Sequence, residues 1–234
     1  MTIKYSLVIP CYNESPNLDL LVDKCDRLVK KNKSIEVILV DNGSTDNTAS
    51  KLKEILRHTD NIRSIRLDVN NGYGFGILSG LRVANGSILG WTHADMQTDP
   101  IDFYKGLKSL KDEKKPDFFI KGKRFGRPYS DTIFTIMMSI FETLLLSRSM
   151  WDINAQPTIF SRQFFQNWKN PPNDFSLDLY AYYQAKRNKL KIIRFPVKFG
   201  ERAFGISHWN FSLKSKWNFV KRTIIYSINL KKNI

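Results

Sequence analysis

Three apolar runs in the first hundred residues each stop at a polar, acidic tip, and this repetition constrains the fold more than any other feature. The first is Leu7-Val8-Ile9-Pro10-Cys11-Tyr12-Asn13-Glu14. The second is Val37-Ile38-Leu39-Val40-Asp41-Asn42-Gly43-Ser44-Thr45-Asp46. The third runs from Ser87 to Trp91 and ends in Thr92-His93-Ala94-Asp95-Met96-Gln97-Thr98-Asp99-Pro100. Short runs of this kind, bounded by turn residues, read as strands buried on both faces. Between the first two, Leu18, Leu21, Val22, Cys25, Leu28 and Val29 recur at helical spacing. That predicts an amphipathic helix over 16–31, with Pro16 in its first turn. Asp46 is expected to N-cap a second helix, with Ala49, Leu52, Ile55 and Leu56 as its apolar face. A third strand is expected at 62–67. The turn Asn71-Gly72-Tyr73-Gly74-Phe75-Gly76 then opens a helix to about Ala84. Strands alternating with helices at this spacing predict an α/β fold, a mostly parallel Rossmann-like sheet with helices on both faces. Ligands of such sheets bind beyond the C-terminal ends of the strands, where the three tips lie.

After residue 100 the pattern loosens. Strands are expected at 117–121, 157–161 and 191–197, and helices at 131–147 and 174–187. With 234 residues and no clear linker, the expectation is one domain over 1–212 and a basic amphipathic extension over 213–234. Trp217, Val220, Ile224, Ile225 and Ile228 share a face of that extension, flanked by Lys216, Lys221 and Arg222. Such a helix either packs on the body or lies on anionic lipid. The net charge is +15, and no acid follows Glu201. A polyanionic partner is implied: nucleic acid, an acidic membrane or phosphorylated substrates. Two cysteines give no disulfide framework or metal spacing, so a reducing compartment is expected. The N-terminus runs into a strand with no signal peptide pattern. The longest apolar stretch, Ile133 to Leu146, is interrupted by Glu142 and is short for a bilayer span. The expected location is cytoplasmic, with peripheral attachment at the inner face of a membrane as an option.

Several side chains at these tips suit a binding site. Asp95 and Gln97 put an acid and an amide oxygen two residues apart at a strand end, and such a pair can hold a hard divalent cation. Asp41 could simply open a turn, but with Tyr12, Asn13, Glu14 and Asp95 at neighbouring strand ends a binding role is the better reading. The glycines at 72, 74 and 76 do not make a dinucleotide fingerprint, because Ile77 stands where the third glycine belongs. Close backbone approach to a phosphate, or a plain turn, remains. Asp178, at the start of a helix, either stabilises the helix dipole or serves as a general base. Lys121, Lys123, Arg124 and Arg127 are either a solvated face or a site for an anionic head group.

The quoted motifs together resemble family 2 glycosyltransferases of the GT-A fold, and are similar to the dolichol-phosphate-mannose synthase branch. The resemblance runs from about residue 5 to 209. Val8 to Glu14 is similar to the family's opening motif, and Val40 to Asp46 to its second, whose acid reads the nucleotide base. Asn71-Gly72-Tyr73-Gly74 is similar to the turn near the diphosphate. His93-Ala94-Asp95-Met96-Gln97 resembles the metal motif, with His93 where the family usually has its first acid. Gly122-Lys123-Arg124-Phe125 is similar to the segment whose arginine meets acceptor phosphate, and Arg202 to Ser207 to a late Arg-x-x-Gly-x-Ser segment. The resemblance implies a nucleotide-sugar site made of Pro10, Tyr12, Asn13, Glu14, Asp41, Ser44, Gly72, Tyr73, Gly74, His93, Ala94 and Asp95. It implies a divalent metal, Mg2+ or Mn2+, on Asp95 and Gln97, and catalytic roles for Asp178, Arg124 and Arg202. An imidazole at position 93 would tolerate manganese better than magnesium.

The function implied is inverting transfer of a sugar to a polyprenyl phosphate or a cell-surface glycan. Two rivals stand beside it. A nucleotidyltransferase would carry a glycine-rich basic loop after its first strand, and Pro10 to Ser15 has none. A nucleic-acid-binding protein would explain the charge, yet no nucleic-acid motif appears, so no nucleic acid is expected.

Overall fold

The computed structural model describes residues 2–110, 117–203 and 213–232. Seven strands form one sheet: β1 Tyr5–Cys11, β2 Ile35–Asn42, β3 Ile62–Leu67, β4 Ile88–Trp91, β5 Phe118–Phe125, β6 Thr158–Ser161 and β7 Lys191–Lys198. Their order is β3-β2-β1-β4-β6-β5-β7. All pairings are parallel except those of β6, which runs against β4 and β5. The expected α/β class and mostly parallel sheet are therefore present.

Helices α1 Leu18–Lys31, α2 Thr48–Ile55, α3 Tyr73–Val83, α4 Ile101–Lys108, α5 Tyr129–Leu146, α6 Arg162–Gln166, α7 Ser176–Arg187 and α8 Leu213–Lys232 complete the described elements. The two-residue period of a strand divides the core into two layers. Leu7, Ile9, Val37 and Leu39 pack with Leu21, Cys25 and Leu28 of α1 on one face. Val8, Ile38 and Val40 pack with Ile77, Leu78 and Leu81 of α3 on the other, together with most of α7. Gly80 permits the α3 contact, since a Cβ there would lie 2.4 Å from the Val8 side chain.

Several local details differ from expectation. Pro16 belongs to a short 3-10 turn, Ser15–Asn17, and α1 starts only at Leu18. Asp46 stands one residue before the capping position of α2, and its carboxylate accepts from the Thr48 N–H at 2.9 Å and the Ser15 N–H at 3.3 Å. It thus ties two loops together rather than capping one helix. Strand β5 continues to Phe125, because β7 pairs with it as far as Lys198. Helices α4 and α6 were not expected; α6 has only five residues, too few to show a helical period, and α4 begins directly after the Asp99-Pro100 turn, with no side-chain cap at Pro100 to announce it. Helix α8 packs on α5 and buries Ser227, not the face of Trp217, Ile225 and Ile228, which stays exposed.

The strand order reverses direction at β1. From it the chain goes outward to β2 and β3, then returns to place β4 on the other side. A crevice opens at such a switch point, beyond the carboxyl ends of the parallel strands. The tips after β1 and β4 border it.

Candidate active site

The β1 and β2 tips interlock through side-chain to backbone bonds. Asn13 has φ 56°, a left-handed conformation that Asn tolerates. Its Oδ1 accepts from the Thr45 N–H at 2.9 Å, while its own N–H donates to Ser44 Oγ at 3.0 Å. The Glu14 N–H donates to Thr48 Oγ1 at 3.0 Å. Asp41 is buried and accepts from the Ser44 N–H through Oδ1. Its Oδ2 is buried without a hydrogen bond, 3.5 Å from Arg66 Nη1. An orphaned carboxylate oxygen at a strand end costs stability unless a ligand donates to it. Tyr12 is exposed beside this cradle.

At the β4 tip, Asp95 is buried and its Oδ2 lies 3.0 Å from Arg202 Nη2. Its Oδ1 accepts from the Gln97 N–H at 3.2 Å, and Gln97 Nε2 donates to the Gly200 carbonyl at 3.3 Å. Burial pushes the His93 imidazole below its ordinary pKa. Asp95 and Asp178 pull it up, and Arg124 and Arg202 push it further down. One imidazole therefore senses four of the charged side chains singled out from the sequence. Burial also raises the Glu14 carboxyl, helped by Asp95 and opposed by Asn17 and Arg202. These groups share one electrostatic neighbourhood.

Tyr73 joins them from α3. Its ring stacks on His93, centroids 5.5 Å apart, and on Phe175 at 4.5 Å. Its hydroxyl is buried near Asp178 without closing a hydrogen bond. The glycines beside it are required by the chain itself. A Cβ on Gly72, whose φ is 107°, would lie 2.4 Å from the Asn173 carbonyl oxygen, and one on Gly74 would lie 2.5 Å from that of Pro172. The close approach these glycines permit is to backbone leading into α7. Ala94 is buried. Pro10 lies in β1.

Asp178 is not a free carboxylate. Its Oδ1 accepts from Gln156 Nε2 at 2.7 Å and from Lys121 Nζ at 3.2 Å. Lys121 also donates to Thr158 Oγ1 at 2.8 Å and is fully buried, which pushes its ammonium down to about 8 against the pull of Asp178. Arg124 donates to Asp152 Oδ1 through Nε at 2.8 Å and through Nη2, and its N–H donates to Asp152 Oδ2. Burial raises the Asp152 carboxyl, but Arg124 and Arg194 outweigh it and hold it below its ordinary pKa. Arg127 donates to Thr135. The expected basic patch is thus dispersed: of Lys121, Lys123, Arg124 and Arg127, only Lys123 is exposed. Arg124 instead lines a cavity of about 50 Å³ with Phe134, Met138, Ser139, Leu179 and Thr223. The segment after Arg202 that carries Gly205 and Ser207 lies outside the described residues.

Lys121's partnership, Gln156, Asp152 and Phe175 were missed from the sequence. Residues 147–157 show no period, so nothing there marks which polar side chains turn inward.

The family model for glycosyl transferase family 2 matches residues 6–180, three quarters of the chain. The chain belongs to glycosyl transferase family 2. A relative in Photorhabdus laumondii, an undecaprenyl-phosphate 4-deoxy-4-formamido-L-arabinose transferase, is 27% identical over 213 residues, covering 89% of this chain and 63% of that protein. A protein of the same description in Proteus mirabilis is 37% identical over 99 residues, covering 42% and 30%. The chain thus spans less than two thirds of the length of these relatives. Glucosyl-3-phosphoglycerate synthase from Mycobacterium tuberculosis, solved with Mn2+, UDP and glucosyl-3-phosphoglycerate, superposes with TM-score 0.72 at 17% identity over 99% of this chain and 81% of that one. A mannosyltransferase from Pyrobaculum calidifontis, solved with GDP-Man and Mn2+, gives 0.64 at 20% over 87% and 58%. The fold is GT-A.

Proposed function

We propose that this chain transfers a sugar from a nucleoside-diphosphate sugar to a polyprenyl phosphate, with inversion. Family membership supports glycosyl transfer and does not favour the nucleotidyltransferase or nucleic-acid readings. The observation that carries the site is the meeting of the β4 tip with the segment after β7, where Asp95 Oδ2 lies 3.0 Å from Arg202 Nη2 and Tyr73 stacks on His93, beside the β1–β4 switch point.

In this reading the base and ribose lie against Pro10, Tyr12, Asn13 and Glu14, with donors supplied to Asp41 Oδ2. Ser44 holds the cradle, and the Gly72–Tyr73–Gly74 turn borders the diphosphate. Asp95 is the carboxylate for a divalent cation, Mg2+ or Mn2+, with Gln97 alongside. The donor set fits: a hard cation needs only one or two protein carboxylates when a substrate diphosphate supplies further oxygens. Arg202 Nη2 lies 3.0 Å from Asp95 Oδ2, so a cationic group already occupies one side of this carboxylate and an ion would share it. Such an ion supplies charge neutralisation to a departing diphosphate.

The acceptor phosphate oxygen attacks the anomeric carbon from the face opposite the diphosphate. The glycosidic C–O bond breaks, and its electron pair leaves with the nucleoside diphosphate. An ionised phosphate needs no base. Arg124, fixed by Asp152, and Arg202 orient it. Asp178 Oδ1 is already engaged by Gln156 Nε2 and Lys121 Nζ, so an acceptor that arrives ionised suits this site, because it needs no proton transfer. The named function of the undecaprenyl-phosphate relatives points the same way.

The test is a panel of nucleotide sugars with a polyprenyl phosphate, with and without Mn2+, read by nucleoside diphosphate release and by glycolipid formed. Acceptor-dependent release with at least one donor is expected. Release that depends on a glycan and ignores the lipid would replace this acceptor.

A further inference from the structure

Helix α5 shows solvent what a surface helix normally hides. Tyr129, Ile133, Met137, Ile140 and Leu144 follow one another at steps of three or four residues, which is one face of a helix. They are 90%, 58%, 65%, 51% and 75% exposed. The two acids of α5 are not exposed: Glu142 is buried and Asp131 is half-buried. The opposite face packs inward through Ser139, Glu142 and Leu146. Neighbouring α8 adds a mixed face, in which exposed Lys221 lies one turn from both Trp217 and Ile225. It turns Ser227 towards Glu142, at 2.6 Å, and leaves Trp217, Ile225 and Ile228 exposed. Single exposed apolar residues are ordinary, but an apolar helix face five side chains long, flanked by a helix that exposes Trp217, Ile225, Ile228 and Lys221, marks an interaction surface.

The helix is 18 residues long and apolar enough to cross a bilayer by length and composition. Its connections argue otherwise. It leaves from β5 and returns to β6, and these strands are hydrogen-bonded neighbours in one sheet. A crossing would carry one end of α5 about 27 Å from the other through lipid and strip Glu142 from Ser227. A helix so tethered can lie along an interface, with its apolar face inward to the acyl boundary.

The charge around the surface selects its occupant. Lys123 before α5, Arg148 after it, and Lys221, Lys231 and Lys232 on α8 are all exposed. The chain as a whole is at +15. A second copy would bring the same positive rim against itself, whereas anionic lipid neutralises it. Trp217 suits the boundary between apolar and aqueous phases. We propose that the outer faces of α5 and α8 form a docking surface for a bilayer containing anionic lipid, with α5 lying in the plane of the interface. Arg124 shares a cavity with Phe134 and Met138 on the inner side of α5, so docking brings that arginine to within one helix thickness of the lipid. This consequence rests on the acceptor reading above; the docking does not.

The test uses the 234-residue chain and the double variant Met137→Gln/Leu144→Gln. Cosedimentation is measured with vesicles of phosphatidylglycerol and phosphatidylcholine, without donor or acceptor, so failure of sugar transfer leaves the result readable. The chain is expected to partition onto these vesicles, and the variant about tenfold more weakly or worse, because two large apolar side chains lose their burial. Both positions are exposed, so the melting temperature is expected to be unchanged. Equal partition of the two proteins would overturn the proposal. So would absence of vesicle binding together with a dimer in sedimentation that the variant abolishes.

Discussion

Asp95 joins more of the site than any other residue: it orders Gln97, pairs with Arg202 and shapes the charge felt by His93 and Glu14. Asp95→Ala is expected to abolish transfer while leaving a cooperatively folded protein, since the groups it holds, Gln97 and Arg202, lie in segments outside the strands and helices. Nucleoside diphosphate release beside a thermal melt checks this; near-normal release by a folded variant would remove the metal assignment. His93→Asp is expected to keep or raise activity with Mg2+, because it offers a second hard oxygen ligand. Loss of all activity with both Mg2+ and Mn2+ in a folded variant would show a specific need for the imidazole. Asp178 and Arg124 separate the two acceptors. With a phosphate acceptor, Arg124→Lys keeps a charge against Asp152 but loses the planar fork, and kcat/KM for the acceptor is expected to fall roughly 10–100-fold. Asp178→Asn would then cost less. General-base catalysis predicts the reverse, a loss of roughly 10²–10⁴ for Asp178→Asn. Sequence alone could point to Asp178 and Arg124 but not to their partners Lys121 and Asp152, which stand 57 and 28 residues away along the chain.

Among the elements, α5 and α8 are joined by a buried acid. Burial pushes the Glu142 carboxyl from its ordinary 4.5 up to about 7, although the Ser227 hydroxyl lowers it. The folded protein therefore holds a proton on Glu142 that the unfolded chain releases between these values. By linkage, the contribution of this one group is fully present below the unfolded value and is lost as pH rises towards 7, by up to roughly 3 kcal/mol. Above pH 7, Glu142→Gln is expected to raise the melting temperature and to flatten its slope between pH 4.5 and 7. An unchanged slope would show that Glu142 is solvated. The strand-helix alternation through β4 was readable because three of its four strands are apolar runs that end in polar tips, and the fourteen residues of α1 show a clear helical period. The later elements were readable as existing but not as bounded. β5 runs four residues past its expected end because β7 supplies partners that no local pattern announces.

For the molecule as a whole, the charge of +15 has a kinetic consequence. An anionic donor is drawn to a positive protein, and salt screens the attraction within about 10 Å at 0.1 M. Raising salt from 50 to 500 mM is expected to lower kcat/KM for the nucleotide sugar severalfold while kcat changes little. A fall in kcat of the same size would assign the effect to the chemistry or the fold. Polynucleotide binding is not expected to compete with donor, despite the charge.

The class of fold was legible in the sequence, and so was the gathering of the polar tips at one edge of the sheet. Continuous apolar runs demand a sheet covered on both faces, and the parallel order that follows puts every polar tip at one edge. The sequence also supplied the motif residues, because strand ends and tight turns are local. Tertiary packing set the antiparallel run of β6, the ion pairs of Arg124 and Asp178, and the burial in α8 of Ser227 in place of Trp217, Ile225 and Ile228. These outcomes depend on which distant segments meet. A lysine in β5 reads as surface charge until an aspartate from α7 arrives beside it. An apolar helical face reads as core until the rest of the chain leaves it uncovered.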